Sequence, residues 1–178
     1  RLNGGSGSDV YRFGRGYGQD QISDYDSGAE SADAVVFGRD VAPSDVTLKR
    51  AGDNLIATIK GTSDRLEIQN YFYQDGVSAY SIESLVFADG TVWDLAFVKA
   101  QVLISTDGDD SLTGYATSDS ISGGDGNDTL YGRAGNDVLA GGNGRDLLQG
   151  EDGNDKLQGG SGNDSLSGGN GNGLLQGD

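Results

Sequence analysis

Gly123-Gly124-Asp125-Gly126-Asn127-Asp128-Thr129-Leu130-Tyr131 decides the fold. The same nonapeptide returns as Gly141-Gly142-Asn143-Gly144-Arg145-Asp146-Leu147-Leu148-Gln149 and as Gly159-Gly160-Ser161-Gly162-Asn163-Asp164-Ser165-Leu166-Ser167. The template is G-G-x-G-x-D-x-U-x, with U a large aliphatic residue. Residues 105–176 fall into eight such frames with no insertion. Position eight reads Leu112, Ile121, Leu130, Leu139, Leu148, Leu157, Leu166 and Leu175. Position six is aspartate in seven of the eight frames, at Asp110, Asp119, Asp128, Asp137, Asp146, Asp155 and Asp164, and glycine at Gly173. A strict short period is the mark of a solenoid whose repeats stack on one another.

The residue types within a frame say how it folds. The segment x-U-x is a short strand with its aliphatic residue turned inward. It pairs with the same strand two frames on, ~4.8 Å along the axis. The loop G-G-x-G-x-D carries the chain to the other side, so two frames make one coil and the loops stack in an odd and an even column. One buried aliphatic contributes ~1.5–3 kcal/mol, whereas ordering backbone costs ~1–2 kcal/mol for every residue and most at glycine. The aliphatic column alone does not order the repeat.

Each column also stacks aspartates at strand spacing, which repel without counterions. Glycines free to adopt positive φ aim carbonyl oxygens at the same place. Carboxylate and carbonyl oxygens, without nitrogen or sulfur, suit the flexible, high coordination of Ca²⁺ better than the tight octahedron of Mg²⁺. The candidate ligands are the seven aspartates and the loop glycines Gly124, Gly126, Gly142, Gly144, Gly160 and Gly162. An ion is expected between loops i and i+2. Asp128 with Asp146, Asp137 with Asp155 and Asp146 with Asp164 join well-formed loops. Frame two, Gly114-Tyr115-Ala116-Thr117-Ser118-Asp119, lacks the second and fourth glycines, and Gly173 leaves Asp155 without a counterpart. The alternative, that these aspartates are turn formers, does not explain one shared position in seven frames. The expected behaviour is an unfolded apo chain and a folded Ca²⁺-loaded one.

Composition points the same way. Glycine is 32 of 178 residues and proline 1, which with a strict period marks a repeat rather than a flexible linker. The net charge is −16, and residues 105–178 hold 13 acids against 3 bases. That balance disfavours nucleic acid and anionic membrane surfaces as partners and favours cations. With no cysteine and no histidine, disulfides, thiolate or histidine zinc sites and Ser-His-Asp or Cys-His catalysis are excluded within this sequence. No nucleophile elbow and no P-loop is present. Glu67 and Glu83 read better as solvated strand positions than as an acid–base pair. No apolar run is long enough to span a bilayer. Position 1 is not methionine and Gly177-Asp178 opens a ninth frame, so the sequence is expected to continue on both sides in a longer protein.

The remainder reads as follows. Gly4-Gly5-Ser6-Gly7-Ser8-Asp9-Val10-Tyr11 is a good frame, and Gly16-Tyr17-Gly18-Gln19-Asp20-Gln21-Ile22 a looser one. Asp9 and Asp20 take their ligand positions. Residues 1–23 are therefore expected to be the last turns of an upstream roll, 24–104 a β-rich capping segment, and 105–178 a second roll. Within 24–104, strands are expected over 34–37, 46–50, 55–60, 65–70 and 81–87. Gly52-Asp53-Asn54 and Ala88-Asp89-Gly90-Thr91 are turns. Asp94 caps a short helix from Leu95 to about Gln101, with Leu95, Val98 and Val102 on one face. Phe37, Tyr71, Phe72, Tyr73, Tyr80, Phe87, Trp93 and Phe97 are expected to build the core. A ligand-binding aromatic patch at Tyr71-Phe72-Tyr73 is the alternative. The fold class is all-β: a parallel β-roll with a β-rich capping segment that carries a short helix.

The nonapeptide array resembles the RTX, or haemolysin-type, calcium-binding repeat of toxins, lipases, proteases and adhesins. The middle of the chain resembles the segment that follows RTX blocks in haemolysin-like proteins. It does so through Gly16-Tyr17-Gly18-Gln19-Asp20-Gln21-Ile22-Ser23, Ala42-Pro43-Ser44-Asp45-Val46, Leu66-Glu67-Ile68-Gln69-Asn70-Tyr71-Phe72 and Ile82-Glu83-Ser84-Leu85-Val86-Phe87-Ala88-Asp89-Gly90-Thr91-Val92-Trp93. The resemblance implies a right-handed parallel β-roll with loop aspartates and carbonyls as Ca²⁺ ligands. It implies a segment that caps the upstream block and nucleates its folding. It also implies bacterial type I secretion of an unfolded chain that folds in the Ca²⁺-rich exterior, beside neighbouring RTX blocks of the parent. The sequence departs from the family pattern at Gly173 and in lacking the usual C-terminal secretion signal. The function expected is a calcium-binding module, without catalysis of its own, of a larger extracellular toxin, enzyme or adhesin. The alternatives are an adhesin-type surface-binding solenoid and an accessory module of a secreted enzyme. Positions seven and nine are too irregular for an ice-binding face.

Overall fold

Strand positions follow the inward aliphatic residues in both halves of the chain. The computed structural model describes residues 1–26, 32–80 and 82–177. It divides into two units, Arg1–Val102 and Leu103–Asp178.

The first unit contains β1 (Val10–Phe13), β2 (Gln19–Ile22), β3 (Ala34–Phe37), β4 (Val46–Ala51), β5 (Asn54–Ile59), β6 (Arg65–Ile68), β7 (Ser84–Val86), β8 (Val92–Asp94) and α1 (Leu95–Gln101). They form two sheets, ordered β1-β3-β7-β8 and β2-β6-β5-β4. β1, β3 and β7 are parallel and β8 returns antiparallel; β2 and β6 are parallel, with β5 and β4 added antiparallel. Thus β1 and β2, which the sequence assigns to an upstream roll, are strands of the two sheets that the following segment completes.

The inward residues stand in register as Tyr11, Val35 and Leu85 on one side and as Leu2, Ile22 and Ile68 on the other. This is the coil logic of the nonapeptide with long excursions between turns. Ala51 pairs with Asn54 across Gly52 (φ 62°) and Asp53, so Asn54 belongs to β5 rather than to the turn. β6 stops at Ile68, short of the expected residue 70, where Asn70 takes φ 56°. The strand expected over 81–87 is Ser84–Val86, and Ser81 lies outside the described residues. Asp94 caps α1, its carboxylate accepting the Phe97 N–H at 2.8 Å, and Val98 and Val102 are buried beneath.

A file of rings forms the core of the β1-β3-β7-β8 sheet. Phe13 meets Phe37 edge-on at 6.4 Å, Phe37 stacks on Phe87 at 4.7 Å, and Phe87 meets Trp93 at 4.5 Å. Tyr71 and Phe72 are buried and pack edge to face at 5.0 Å. Of the surface patch considered at Tyr71-Phe72-Tyr73, only Tyr73 is exposed. Two of its three rings are taken up by the core.

The second unit carries one strand per frame: β9 (Ser111–Thr113), β10 (Ser120–Asp125), β11 (Thr129–Ala134), β12 (Val138–Asn143), β13 (Leu147–Asp152), β14 (Lys156–Ser161), β15 (Ser165–Ser167) and β16 (Leu174–Gln176). Odd and even frames separate into two sheets, β9-β11-β13-β15 and β10-β12-β14-β16, parallel throughout. The protein is a parallel β-roll here. Leu112, Ile121, Leu130, Leu139, Leu148 and Leu157 fill its interior. Leu166 is half-buried and Leu175 is 43 % exposed where the stack ends.

Candidate metal centre

Every strand of the roll is preceded, two residues before its inward leucine or isoleucine, by a position-six residue, and those positions stack coil on coil. The Asp110 N–H donates to Asp128 Oδ1 at 2.8 Å, and the Asp128 N–H to Asp146 Oδ1 at 2.8 Å. The Asp146 N–H donates to Asp164 Oδ1 at 3.0 Å. The even column repeats the pattern, Asp119 to Asp137 at 2.8 Å and Asp137 to Asp155 at 2.9 Å. One carboxylate oxygen of Asp128, Asp137, Asp146, Asp155 and Asp164 is thus used to hold the coil before it.

The other oxygen is different. Oδ2 of Asp128, Asp137, Asp146 and Asp155 is buried and accepts no hydrogen bond. A buried charged oxygen without a partner is costly, and four in two columns is a pattern rather than an accident of packing. The glycines show what surrounds it. A Cβ on Gly123 would fall on Asp128 Oδ2 and on the Gly141 carbonyl oxygen of the next coil. The same holds for Gly132 with Asp137 and Gly150, for Gly141 with Asp146 and Gly159, and for Gly150 with Asp155 and Gly168. A carboxylate oxygen and a carbonyl oxygen converge over each of these four glycines. Both are hard oxygen donors, the kind that Ca²⁺ takes.

The frames at the ends differ. Asp110 Oδ2 accepts the Thr106 N–H at 2.6 Å, and Asp119 Oδ2 accepts the Tyr115 N–H at 2.6 Å. Both carboxylates are therefore satisfied from within their own loops, and both are half-buried. Asp164 is also half-buried, and Gly173 offers no carboxylate to the coil before it. Of the expected glycine ligands, Gly124, Gly142 and Gly160 stand in register with φ between 95° and 114°, and Gly126, Gly144 and Gly162 have φ between 121° and 136°. Their carbonyls face the next coil: a Cβ on Gly142 or Gly144 would strike the oxygen of Gly124 or Gly126.

The carbonyls that meet the carboxylates over the first-position glycines are those of Gly132, Gly141, Gly150, Gly159 and Gly168. Their signal was in the sequence. Position one is glycine in frames two to eight, whereas position two also reads Tyr115, Arg133 and Glu151.

Asp9 and Asp20 part company. The Asp9 N–H donates to Asp33 Oδ1 at 2.7 Å, and the Asp33 N–H to Glu83 Oε2 at 2.6 Å, continuing the ladder of the roll with longer spacing. Asp20 lies within β2 opposite Leu66 and outside the acidic group formed, among the described residues, by Asp9, Asp24 and Asp33. Among the described residues, Asp9, Asp24 and Asp33 form an acidic group able to hold a metal ion.

Residues 104–139 and 140–175 match the RTX calcium-binding nonapeptide repeat, and residues 54–96 match the haemolysin-type calcium binding protein related domain. Residues 104–175 are RTX calcium-binding repeats. The chain is also 43 % identical over 113 residues to the iron-regulated protein FrpA of Neisseria meningitidis serogroup C, covering 64 % of this chain and 10 % of that protein. It thus spans about a tenth of the length of this relative. Among solved structures it is similar to the extracellular lipase LipA from Serratia marcescens, with 20 % identity over 87 % of this chain and 29 % of that chain and a TM-score of 0.25.

The electrostatics of the RTX roll follow from the stack. Burial pushes the carboxyl groups of Asp128 and Asp137 above the usual range. The neighbouring carboxylates, Asp146 and Asp110 for the first and Asp155 and Asp119 for the second, push the same way against the stabilising backbone N–H groups. A bound cation reverses both effects.

A second ladder supports the loops from outside. Asn127 Oδ1 accepts the Arg145 N–H at 3.0 Å, Asn136 Oδ1 the Asn154 N–H at 2.8 Å, and Asn154 Oδ1 the Asn172 N–H at 2.8 Å. This explains asparagine at position five, which the metal argument alone did not.

Proposed function

We propose that the chain is a calcium-binding RTX module whose roll orders when Ca²⁺ binds. The observation that carries this reading is the set of four buried, unpartnered Oδ2 atoms on Asp128, Asp137, Asp146 and Asp155, each beside a glycine carbonyl of the next coil. These residues would hold the ions, with Asp110, Asp119 and Asp164 completing the columns at their ends. Bound Ca²⁺ supplies positive charge that cancels the repulsion within each column and links successive coils. The loop glycines Gly124, Gly126, Gly142, Gly144, Gly160 and Gly162 let the coils approach closely enough for that.

RTX repeat proteins are typically secreted. No helix among the described residues is long and apolar enough to cross a membrane. We infer that this module is exported by a type I route as part of a larger protein, before the roll forms, and folds in the Ca²⁺-rich exterior. Segment 24–104 acts as the cap of the coils that precede it. Its antiparallel strands β4, β5 and β8 and the helix α1 end the parallel stacking on both sheets, which supports that role.

A Ca²⁺ titration followed by far-UV circular dichroism, with Mg²⁺ as control, tests the reading. Residues 103–178 should gain β signal with millimolar Ca²⁺ and not with Mg²⁺. The same spectrum in chelator and in Ca²⁺ would sink it.

A further inference from the structure

The geometry points to a cation site of a different make in the first unit, formed by Asp9, Asp24 and Asp33 and taking Ca²⁺. It rests on the calcium reading above and extends it to a site outside the roll, in which only Asp9 holds a nonapeptide position. Asp24 and Asp33 lie in no nonapeptide frame and outside both matched family segments.

The three side chains each bring a carboxylate oxygen within 4.8 Å of the others. Atoms that close can share one ion at Ca²⁺–oxygen distances of ~2.3–2.6 Å. Asp24 and Asp33 are each 2 % exposed. Asp24 Oδ1 accepts the N–H groups of Gly5 at 3.2 Å and Tyr25 at 3.1 Å, while its Oδ2 is buried with no partner. Asp9 Oδ2 is buried and unpartnered as well. Asp33 Oδ1 holds the Asp9 N–H. None of the ion pairs among the described residues involves these three aspartates. Two carboxylates with an unpartnered buried oxygen, one just before β1 and one just after β2, therefore lie beside a third.

The register explains the composition of the site. Leu2 and Ile22 pair across the sheet, and Gly4 and Asp24 each follow two residues later. A Cβ on Gly4 would fall on the Asp9 carboxylate, as on the first glycines of the roll. In the roll the next coil presents a glycine carbonyl there. In the first unit the next coil presents the Asp24 side chain. A carboxylate thus replaces a carbonyl, and greater ligand charge favours tighter Ca²⁺ binding. The ion would tie the entry to β1, the exit from β2 and the entry to β3, and it would bind at lower Ca²⁺ than the ions of the roll.

The full chain carries its own local probe. Trp93 is the single tryptophan and is buried in β8 of the first unit. Melting followed by Trp93 emission should shift upward in Ca²⁺ relative to chelator, and not in Mg²⁺. Asp24→Asn should remove most of that shift and leave one bound Ca²⁺ fewer by equilibrium dialysis. Asp146→Asn should weaken the circular dichroism response while the Trp93 shift persists, so failure of this site and failure of the roll are told apart.

If no ion binds, Asp24→Asn relieves repulsion among three carboxylates. It then raises the Trp93 melt in chelator and leaves the Ca²⁺ shift unchanged, which overturns the proposal. A wild-type Trp93 melt that Ca²⁺ does not move overturns it equally, and that measurement stands even if Asp24→Asn does not fold.

Discussion

Two residues beyond their inward side chains, the strands β1, β3 and the β7 segment carry Phe13, Phe37 and Phe87, where the strands of the roll carry Gly123, Gly132, Gly141, Gly150 and Gly159. The slot is the same in both units, on the same face and in the same parallel register. In the first unit aromatic rings in contact fill it. In the second, a glycine leaves it open and an aspartate carboxylate from the same loop folds over it. Aromatic packing stabilises a coil with nothing added. An aspartate in that slot brings a buried charge that favours neutralisation, by a proton or by a cation. The comparison teaches that the roll gives up core volume to seat a carboxylate, whereas the first unit keeps its core along one sheet and places Asp24 in the corresponding slot of the other.

The largest expected effect is in the ring file. Phe37→Ala removes the ring between Phe13 and Phe87 and should cost the first unit ~3–5 kcal/mol, as large-to-small core changes do. Thermal unfolding read by Trp93 emission checks it, with the Ca²⁺ response of the roll unchanged. An equal loss in both units would break the contrast.

Next comes the carboxylate stack. Asp146→Ala deprives the buried Asp128 N–H of its acceptor, at ~1–3 kcal/mol for an unsatisfied group, and deletes one of the four orphaned oxygens. The Ca²⁺ midpoint of the circular dichroism transition should rise. Asp119→Ala should move it less, because Asp119 Oδ2 is already held by the Tyr115 N–H. Midpoints displaced equally by the two variants would undo the ranking of frames.

The smallest effect concerns backbone strain. Arg133 and Glu151 occupy the second-glycine position with φ 80° and 71°. Glu151→Gly should relieve ~1 kcal/mol of left-handed strain, seen as a slightly higher melting temperature of the Ca²⁺-loaded roll. A fall instead would mean that Glu151 contributes through its side chain.

Much of this was readable before any coordinates. The odd and even sheets, the inward column from Leu112 to Leu157, the β4–β5 turn and the Asp94 cap all depend on residues near one another in sequence or separated by a fixed period. The rest was not readable, for physical reasons. Which Oδ2 atoms lack a partner depends on whether Thr106 or Tyr115 presents its N–H to the loop aspartate. Sequence shows that Tyr115 replaces a glycine, but not that its amide then caps Asp119. The place of the Gly141 and Gly159 carbonyls beside the carboxylates is not legible either, because a sequence pattern shows where flexibility is needed, not which way an oxygen points.

The sequence by itself determined the period, the coil and the chemistry of the donors, because a nine-residue repeat leaves one inward residue and one carboxylate per turn whatever the details. Only the tertiary structure decided that Asp24 and Asp33 join Asp9. Their separations from it follow no period, and the strand pairings Leu2–Ile22 and Tyr11–Val35 bring them together. Contacts set by register across irregular excursions exist only once the sheets have formed.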